Sequence, residues 1–258
     1  MTANSIPTPT QDDFKECYRG RQSALHHAAY MRMAKVLLAL HLCAKAGIAL
    51  DDRDIFDYGF GAGTFYRYCP RGSRLFGVEM DAENVAAVRE MLRERGFPEP
   101  DLRTIEIEHW QAHPLLGRTY DFILCSHVLE HLPDPAGFLR KMRDCLHPSS
   151  AFMGLVPLNE RKMDPHHVQT VNRAKIDQWA RESDLKVTFY LEGDPWMYWF
   201  QPAFASNKGI MRLLALAVSL GFGIPSTLLG PHLWPALGKL YALLTASRPT
   251  QAAFILTR

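Results

Sequence analysis

The sequence predicts an α/β fold, a doubly wound and mostly parallel sheet of seven strands with a Rossmann-like order of elements. Short β-rich runs alternate with amphipathic helical segments between residues 54 and 191, the pattern of parallel strands joined by right-handed crossovers. A glycine-rich loop follows the first of these strands, at the end of the sheet where such folds bind ligands. A chain of 258 residues with 47% hydrophobic content can bury the core of this domain.

The charge and cysteine content argue against several classes of protein. A count of 29 basic against 27 acidic residues, a net charge of +2, disfavours a protein whose main role is to bind nucleic acid. The five cysteines form no CxxC pair, and the N-terminus MTANSIPTPT lacks the charged and apolar regions of a secretion signal. We therefore predict reduced thiols and a cytoplasmic location, with membrane association left open.

The first segment, residues 1–48, is predicted to be a polar tail followed by a helical cap. Apolar residues recur at helical spacing within residues 12–47, and Gly47 is a typical residue for the end of a helix. The apolar positions of this helix include Ala34, Leu37, Leu38 and Leu42.

The first half of the core contains three predicted strands. The first is at 54–57, RLFGVEM (74–80) is the second, and TIEIE (104–108) alternates as a third strand would. A helix separates the last two, because Asp81 is a good N-cap and Gly96 a typical helix end. Its apolar face consists of Val85, Val88, Met91 and Leu92.

The second half of the core continues the alternation. YDFILCS (120–126) is apolar, as a buried parallel strand is, and AFMGLVPL (151–158) is predicted to be the fifth strand. Between them, a helix is predicted to begin after Asp134 and Pro135 and to stop at Pro148. Its buried positions are predicted to be Phe138, Leu139, Met142 and Leu146.

Two further strands complete the predicted sheet. A helix from Asn172 is followed by the strand KVTFYL (186–191), and AAFILT (252–257) is the last strand. The core domain is therefore predicted to comprise residues 49–194 and 249–258. The inward positions of the helix are Ile176, Trp179 and Ala180.

The loop DYGFGAGTF (57–65) identifies the class of ligand. It lacks the lysine and Ser/Thr of a phosphate loop, and its GxGxG spacing differs from the GxGxxG of dinucleotide loops. Asp57 repels a pyrophosphate and suits an ammonium group. Glu79, 20 residues after Gly59, is placed to accept hydrogen bonds from both hydroxyls of a ribose. The loop glycines are Gly59, Gly61 and Gly63.

This combination resembles the class I S-adenosylmethionine-dependent methyltransferases, whose first motif is an acidic residue, any residue and then GxGxG. YDFILCSHVLEHLPDP (120–135) is similar to the fourth-strand region of the small-molecule branch, which includes the ubiquinone-biosynthesis O-methyltransferases. DPHHVQTVN (164–172) resembles the segment that those proteins carry after strand five. The resemblance covers about residues 50–192.

The resemblance implies a set of cofactor-binding residues for S-adenosyl-L-methionine. Asp57 and the backbone of Gly59, Gly61 and Gly63 would face the methionine part, and Glu79 would hold the ribose. Met80 would lie against the adenine.

Two further parts of the implied site lie after strands three and four. Ser126 and His127 would border the methionine moiety. Many relatives have an aspartate after strand three that binds the adenine amino group, whereas this chain has EHWQ (108–111). Trp110 or Gln111 is the expected substitute, by stacking or by an amide hydrogen bond.

The predicted mechanism is in-line displacement of the sulfonium methyl group, with S-adenosyl-L-homocysteine as product. The enzyme holds a nucleophile about 3 Å from the methyl carbon and excludes water. A base is needed only for some acceptors, and histidine suits that role near neutral pH. The candidates are His127, His131 and His167, with His166 beside them; for His131 a structural role, capping and bracing the next helix together with Glu130, is favoured.

A metal site is the alternative interpretation of these histidines. His127, Glu130 and His131 form HxxEH, to which His166 or His167 would add a ligand. This resembles the ExxEH arrangement of metal-dependent small-RNA 2′-O-methyltransferases. Histidine replaces the first glutamate and no basic RNA-binding extension is visible, so the prediction is that no metal is bound.

Residues 195–248 are predicted to be an apolar, basic helical insertion before the last strand. From residue 195 onward there are five basic residues and no acidic one, and two helices are predicted around 207–221 and 233–246. Prolines and glycines interrupt the apolar run short of the ~20 residues of a membrane-spanning helix. A single crossing would also separate the last strand from its sheet.

Three roles for this insertion compete. A lid over a lipophilic acceptor is favoured, because WMYWF (196–200) offers broad apolar walls. The alternatives are a homodimer face and peripheral membrane contact through 207–246. Anionic headgroups would meet Lys208, Arg212, Lys239 and Arg248.

The favoured function is methylation of a small lipophilic or aromatic acceptor, at oxygen in preference to nitrogen or carbon. A noncatalytic accessory protein that binds S-adenosylmethionine is the alternative from another class. A dehydrogenase is disfavoured by the spacing of the glycine loop.

Overall fold

A computed structural model describes residues 30–97, 99–160, 166–201 and 209–258. The predicted helical residues 12–29 lie outside this part of the chain. The helices of the described residues are α1 (Tyr30–Ala46), α2 (Ala82–Glu94), α3 (Pro135–Asp144), α4 (Arg173–Glu182) and α5 (Gly209–Thr245). The strands are β1 (Asp54–Tyr58), β2 (Arg74–Glu79), β3 (Asp101–Thr104), β4 (Tyr120–Ser126), β5 (Leu146–Pro157), β6 (Lys186–Gly193) and β7 (Gln251–Thr257).

The seven strands form one sheet in the order β3-β2-β1-β4-β5-β7-β6. Strands β1 to β5 are parallel, whereas β7 is antiparallel to both β5 and β6. The predicted Rossmann-like fold class is thereby confirmed. Strands β2 and β3 lie on one side of β1, and β4 and the later strands lie on its other side. The carboxyl ends of β1 and β4 therefore border the crevice where ligands bind in such sheets.

Side-chain caps position the helices, as the sequence predicts. The carboxylate of Asp81 accepts from the backbone N–H of Glu83 (2.9 Å), and that of Asp134 accepts from Gly137 (2.8 Å). The side chain of Asn172 accepts from the N–H of Lys175 (2.9 Å) at the start of α4. Each cap satisfies a helix-end donor that has no intrahelical partner.

Two predicted boundaries are wrong. The strand predicted at 104–108 is β3 (Asp101–Thr104), and a short 3-10 helix, Ile107–Ala112, follows it. The partner strand β2 ends at Glu79, which is paired with Thr104 and whose carbonyl accepts from the N–H of Ile105 (3.0 Å), so residues beyond Ile105 would have no partner on β2. The alternation of TIEIE therefore does not mark a strand.

The helix predicted to run to Pro148 ends earlier, at Asp144. Leu146, predicted to be buried on that helix, begins β5 and pairs with Tyr120. The register shifts between Tyr120 and Phe122, because Phe122 is paired with Ala151. Pro148 is therefore accommodated in a bulge, where its missing N–H breaks no ladder hydrogen bond.

The core has a large cluster of buried residues on each face of the sheet and a small third cluster. The third cluster joins α1 to α5. Its buried members are Tyr30, Met33, Ala34, Leu37, Met197 and Trp234.

The apolar insertion before the last strand is confirmed as helical. α5 consists of two helical segments joined at Gly230, whose backbone is non-helical (φ 66°, ψ −173°). The bend therefore lies closer to the second predicted helix than to the first. By length and composition alone, Leu216–Thr245 could cross a membrane, and 17% of its most apolar window is buried.

Most of the exposed apolar surface of the described residues lies on α5. Twelve large hydrophobic side chains are exposed, and nine of them belong to this helix. They are Ile210, Leu213, Leu214, Ile224, Leu228, Leu233, Leu240, Leu243 and Leu244.

Candidate active site

The centre of the candidate site is the carboxylate of Asp57, near the carboxyl end of β1. Asp57 is 3% exposed, and its Oδ1 has no hydrogen-bond partner among the described residues. Burial, and then the proximity of Glu79, raise the pKa of this carboxyl. A buried carboxylate oxygen without a partner is costly for the fold, and a cationic ligand would compensate this cost.

The loop after β1 needs its glycines for backbone geometry. Gly59, Gly61 and Gly63 have φ angles of 74°, 53° and 65°, in the left-handed region that glycine adopts at little cost. A Cβ on Gly59 would lie 2.9 Å from Val128, and one on Gly63 would lie 2.6 Å from Val88. The loop is thus pressed between the segment after β4 and helix α2.

Glu79 ends β2, and backbone donors hold its carboxylate beside this loop. Oε2 accepts from the N–H of Gly61 (2.8 Å), and Oε1 accepts from Met80 (3.0 Å) and Asp81 (3.3 Å). Burial raises the pKa of Glu79, while these three hydrogen bonds oppose the rise. The fold therefore places two carboxylates at the ends of neighbouring strands.

The residues predicted to contact adenine lie at different depths. Met80 is half-buried against the large core cluster. Trp110, on the short helix after β3, meets the ring of Tyr58 edge-on at 6.3 Å between centroids and that of Phe138 at 5.3 Å. Gln111 is exposed. Of the two predicted substitutes for the missing aspartate, Trp110 is the one that packs beside the end of β1.

Ser126 and His127 lie at the end of β4, next to β1. His127 has a left-handed backbone (φ 58°), and its N–H donates to the carbonyl of Leu155 (2.8 Å). Its Nδ1 is 3.2 Å from Oε1 of Glu130. Burial and then the positive charge of Lys35 lower the pKa of His127, so the imidazole is neutral at pH 7 and able to accept a proton.

The structure brings the three predicted catalytic histidines around one carboxylate, that of Glu130. Nε2 of His167 is 4.0 Å from Oε1 of Glu130, and the rings of His131 and His167 are 4.7 Å apart between centroids. The cap of α3 is Asp134, so the predicted capping role of Glu130 and His131 is not observed. The backbone carbonyl of Glu130 accepts from Val168 and Gln169.

Sequence reasoning missed Glu160 and the importance of Glu130. Nδ1 of His167 donates to Oε2 of Glu160 (2.9 Å), a pair that no motif in the sequence indicates. In the sequence, Glu130 was singled out only as part of HxxEH and as a brace for the next helix. Asp164, the expected partner of His166 and His167, lies outside the described residues.

An apolar cavity of about 110 Å³ lies beneath α5, away from the glycine loop. Its wall includes Tyr30 and His41 of α1 and Trp234 of α5, together with Asp194. The positive charge of Lys35 on α1 acts at both His127, whose pKa it helps burial to lower, and Asp194, where it opposes the rise in pKa that burial causes.

A family model described as a methyltransferase domain matches residues 25–190 of the chain. A ubiquinone biosynthesis O-methyltransferase of Sodalis glossinidius is 31% identical over 122 residues, which cover 47% of this chain and 45% of the relative. The protein of the same name from Pseudoalteromonas translucida is 24% identical over 169 residues, 58% of this chain and 70% of the relative. The first of these alignments thus spans less than half of the relative's length.

Solved structures of low sequence identity share the fold. An S-adenosylmethionine-dependent methyltransferase from Clostridium acetobutylicum superposes with a TM-score of 0.55 at 10% identity, covering 95% of this chain and 98% of the other. At this identity the likeness concerns the fold alone.

Proposed function

The chain belongs to the methyltransferase-domain family, and from this membership we propose that it transfers a methyl group from S-adenosyl-L-methionine to a small lipophilic acceptor, preferentially at oxygen. The predicted class, an S-adenosylmethionine-dependent methyltransferase domain, is confirmed by the family match. Neither the noncatalytic alternative nor the 2′-O-methyltransferase alternative is favoured by these relatives. The acceptor and the roles of the individual residues belong to the proposal.

The proposal depends on the buried carboxylate of Asp57, whose Oδ1 has no hydrogen-bond partner among the described residues, beside a left-handed glycine loop. Its negative charge fits the ammonium group of the methionine moiety, and the loop lets backbone approach a ligand closely. Glu79, held by three backbone donors, has acceptor capacity left for ribose hydroxyls. The residues present therefore fit the cofactor, which supplies an electrophilic methyl group when bound.

His127 is the base that the geometry favours for a hydroxyl acceptor. It lies at the end of β4, beside the end of β1, and burial keeps it neutral. Glu130, 3.2 Å from its Nδ1, orients the ring and stabilises the imidazolium that forms when the proton is taken. His131 and His167 then act on the acceptor only through Glu130.

The lipophilic character of the acceptor is supported by the apolar cavity under α5. Tyr30 and Trp234 supply broad aromatic walls there, as small-molecule pockets require. We assign α5, within the predicted insertion 195–248, as the element that covers this cavity. Its outward apolar face, without acidic residues, suits contact with an anionic membrane surface from which such an acceptor would enter; a homodimer face is the competing use.

Release of S-adenosyl-L-homocysteine from the full chain, incubated with a panel of lipophilic phenols, acids and amines, tests the proposed reaction. We expect release with one acceptor class. Cofactor binding without release for any acceptor in the panel would instead support the accessory role.

Calorimetry tests whether Asp57 binds the cofactor. Asp57→Asn is expected to weaken S-adenosyl-L-methionine binding at least tenfold, or about 1.4 kcal/mol, because the ammonium loses its counter-charge. Asp54→Asn is the matched control: it lies on the same strand but pairs with Arg74 at the opposite end. Equal affinity for Asp57→Asn and the wild type would contradict the proposal.

A further inference from the structure

We propose that Glu130, His131 and His167 form a binding site for one divalent transition-metal ion, with zinc as the probe of choice. One ligand-type atom from each residue lies within 4.8 Å of the others. A metal site goes beyond the proposed methyl transfer. Metal binding is measured on the protein without cofactor or acceptor, so either the metal site or the methyl transfer can be disproved without the other.

The Glu130 carboxylate is buried without a well-formed hydrogen bond. Glu130 is 0% exposed, and neither Oε1 nor Oε2 has a partner of hydrogen-bonding geometry among the described residues, although Nδ1 of His127 lies 3.2 Å from Oε1. Buried polar atoms in folded proteins are almost always hydrogen-bonded, and an unaccounted ion or water is one of the few explanations when they are not. In the described part of the chain, the recorded partners of this carboxylate are three histidines and no lysine or arginine.

Hydrogen bonds hold the two histidine ligands in one tautomer. Nδ1 of His131 donates to the carbonyl of His166 (3.0 Å), and Nδ1 of His167 donates to Oε2 of Glu160 (2.9 Å). A ring whose Nδ1 carries the proton has its lone pair on Nε2. Metal-binding histidines almost always have such a carbonyl or carboxylate partner on the other nitrogen. Both rings thus have the tautomer that a metal requires.

The donor set selects the class of ion. Two imidazoles and a carboxylate suit zinc and neighbouring first-row divalent ions more than calcium or magnesium, which prefer oxygen ligands. Bonds of about 2.0–2.2 Å would draw the three ligand atoms closer together. Three protein ligands leave a coordination position open, and an ion with an open position lowers the pKa of a bound water or hydroxyl.

Metal content of the wild-type chain is the primary test. The full protein, purified without chelators or a nickel column and dialysed with zinc, is expected to retain one ion per chain by elemental analysis. Zinc should also raise its thermal unfolding midpoint, because a ligand that binds the native state stabilises it. A chain that retains no ion overturns the proposal.

Matched variants test the ligand assignment. Glu130→Gln and His167→Gln are expected to weaken zinc binding by more than the roughly 10–100-fold typical of an outer partner, and Glu160→Gln by about that amount. His166→Ala is the control, because the contact of His166 with His131 is made by its backbone carbonyl, which the substitution retains. Thermal melts and cofactor binding check the fold of each variant.

Two results would overturn the assignment even if zinc is retained. One is unchanged affinity in both Glu130→Gln and His167→Gln, which would mean adventitious binding elsewhere. The other is loss of the ion in His166→Ala, which would mean a different ligand set. Should Glu130→Gln fail to fold, the wild-type stoichiometry and Glu160→Gln still decide the question.

Discussion

Gly63 combines two separate requirements for glycine. Its φ of 65° is in the left-handed region, and a Cβ would lie 2.6 Å from Cγ1 of Val88 on α2. Val88 is β-branched and cannot move aside by a simple rotamer change. Gly61, by comparison, has φ of 53° but no atom within 4 Å of its Cβ position. Substitution of Gly61 therefore measures backbone strain alone, whereas substitution of Gly63 measures strain together with the contact with Val88.

We predict that Gly63→Ala lowers the free energy of unfolding by about 2–4 kcal/mol, the sum of left-handed strain and overpacking. Gly61→Ala should cost about 1–2 kcal/mol, from strain alone. Gly117→Ala is the control, since its φ is not positive and its Cβ position is open. Urea unfolding measures all three. Equal losses at Gly63 and Gly61 would show that contact with Val88 is unimportant.

At the scale of elements, Asp194 attaches α1 and α5 to the edge of the sheet. Its carboxylate accepts from the hydroxyl of Tyr30 (2.8 Å), the hydroxyl of Thr250 (3.0 Å) and the amide of Gln251 (3.3 Å). Nε1 of Trp234 on α5 donates to the same Tyr30 oxygen (2.8 Å). This chain of hydrogen bonds runs through the third core cluster and fixes the positions of α1 and α5 relative to the sheet.

Burial raises the pKa of Asp194 from 3.8 to about 6, which makes stability depend on pH. The folded carboxyl holds its proton more tightly than the unfolded one, so this contribution is complete below pH 4 and is lost as the pH rises through about 6. The loss amounts to about 3 kcal/mol, at 1.36 kcal/mol per pKa unit.

We therefore predict that Asp194→Asn flattens the decline in unfolding free energy between pH 4 and pH 7, because the amide keeps an acceptor for Tyr30 and carries no charge. Denaturant unfolding across this range measures the slope. Asp184→Asn is the control, because that side chain is 87% exposed. An identical slope in Asp194→Asn and the wild type would mean that this carboxyl does not titrate between those pH values.

At the scale of the whole molecule, the apolar surface is unevenly distributed. Nine of twelve exposed large hydrophobic side chains in the described residues are on α5, and no acidic residue follows Asp194. Exposed apolar surface concentrated on one helix is typical of an interaction site. Lipid and a second copy of the chain are its two proposed partners.

We predict that replacing Leu228, Leu243 and Leu244 together by serine reduces binding to anionic phospholipid vesicles at least tenfold. These side chains are 80%, 81% and 75% exposed, so little packing is lost and the melting temperature should change little. Vesicle sedimentation measures the binding, and Phe189→Ser on β6 is the control for an exposed apolar residue elsewhere. If the wild-type protein does not bind vesicles but dimerises through these leucines, this surface is a dimer interface instead.

Local signals in the sequence were sufficient for most of the elements. The boundaries of β4 follow from an apolar run, and the starts of α2, α3 and α4 follow from Asp81, Asp134 and Asn172, because a cap is a short-range interaction. The end of β3 and the bulge at Pro148 could not be predicted from local signals. Each depends on where the neighbouring strand ends or shifts register.

The sequence by itself determined the fold class and the ligand loop: the periodicity of apolar residues specifies strands and helices, and three glycines behind Asp57 specify a tight, anionic turn. Only the tertiary structure decided that His167 approaches Glu130 and that Asp194, through Tyr30, holds α5 against the sheet. These contacts join residues far apart in the chain, and no local pattern encodes which distant side chains a fold brings within hydrogen-bonding distance.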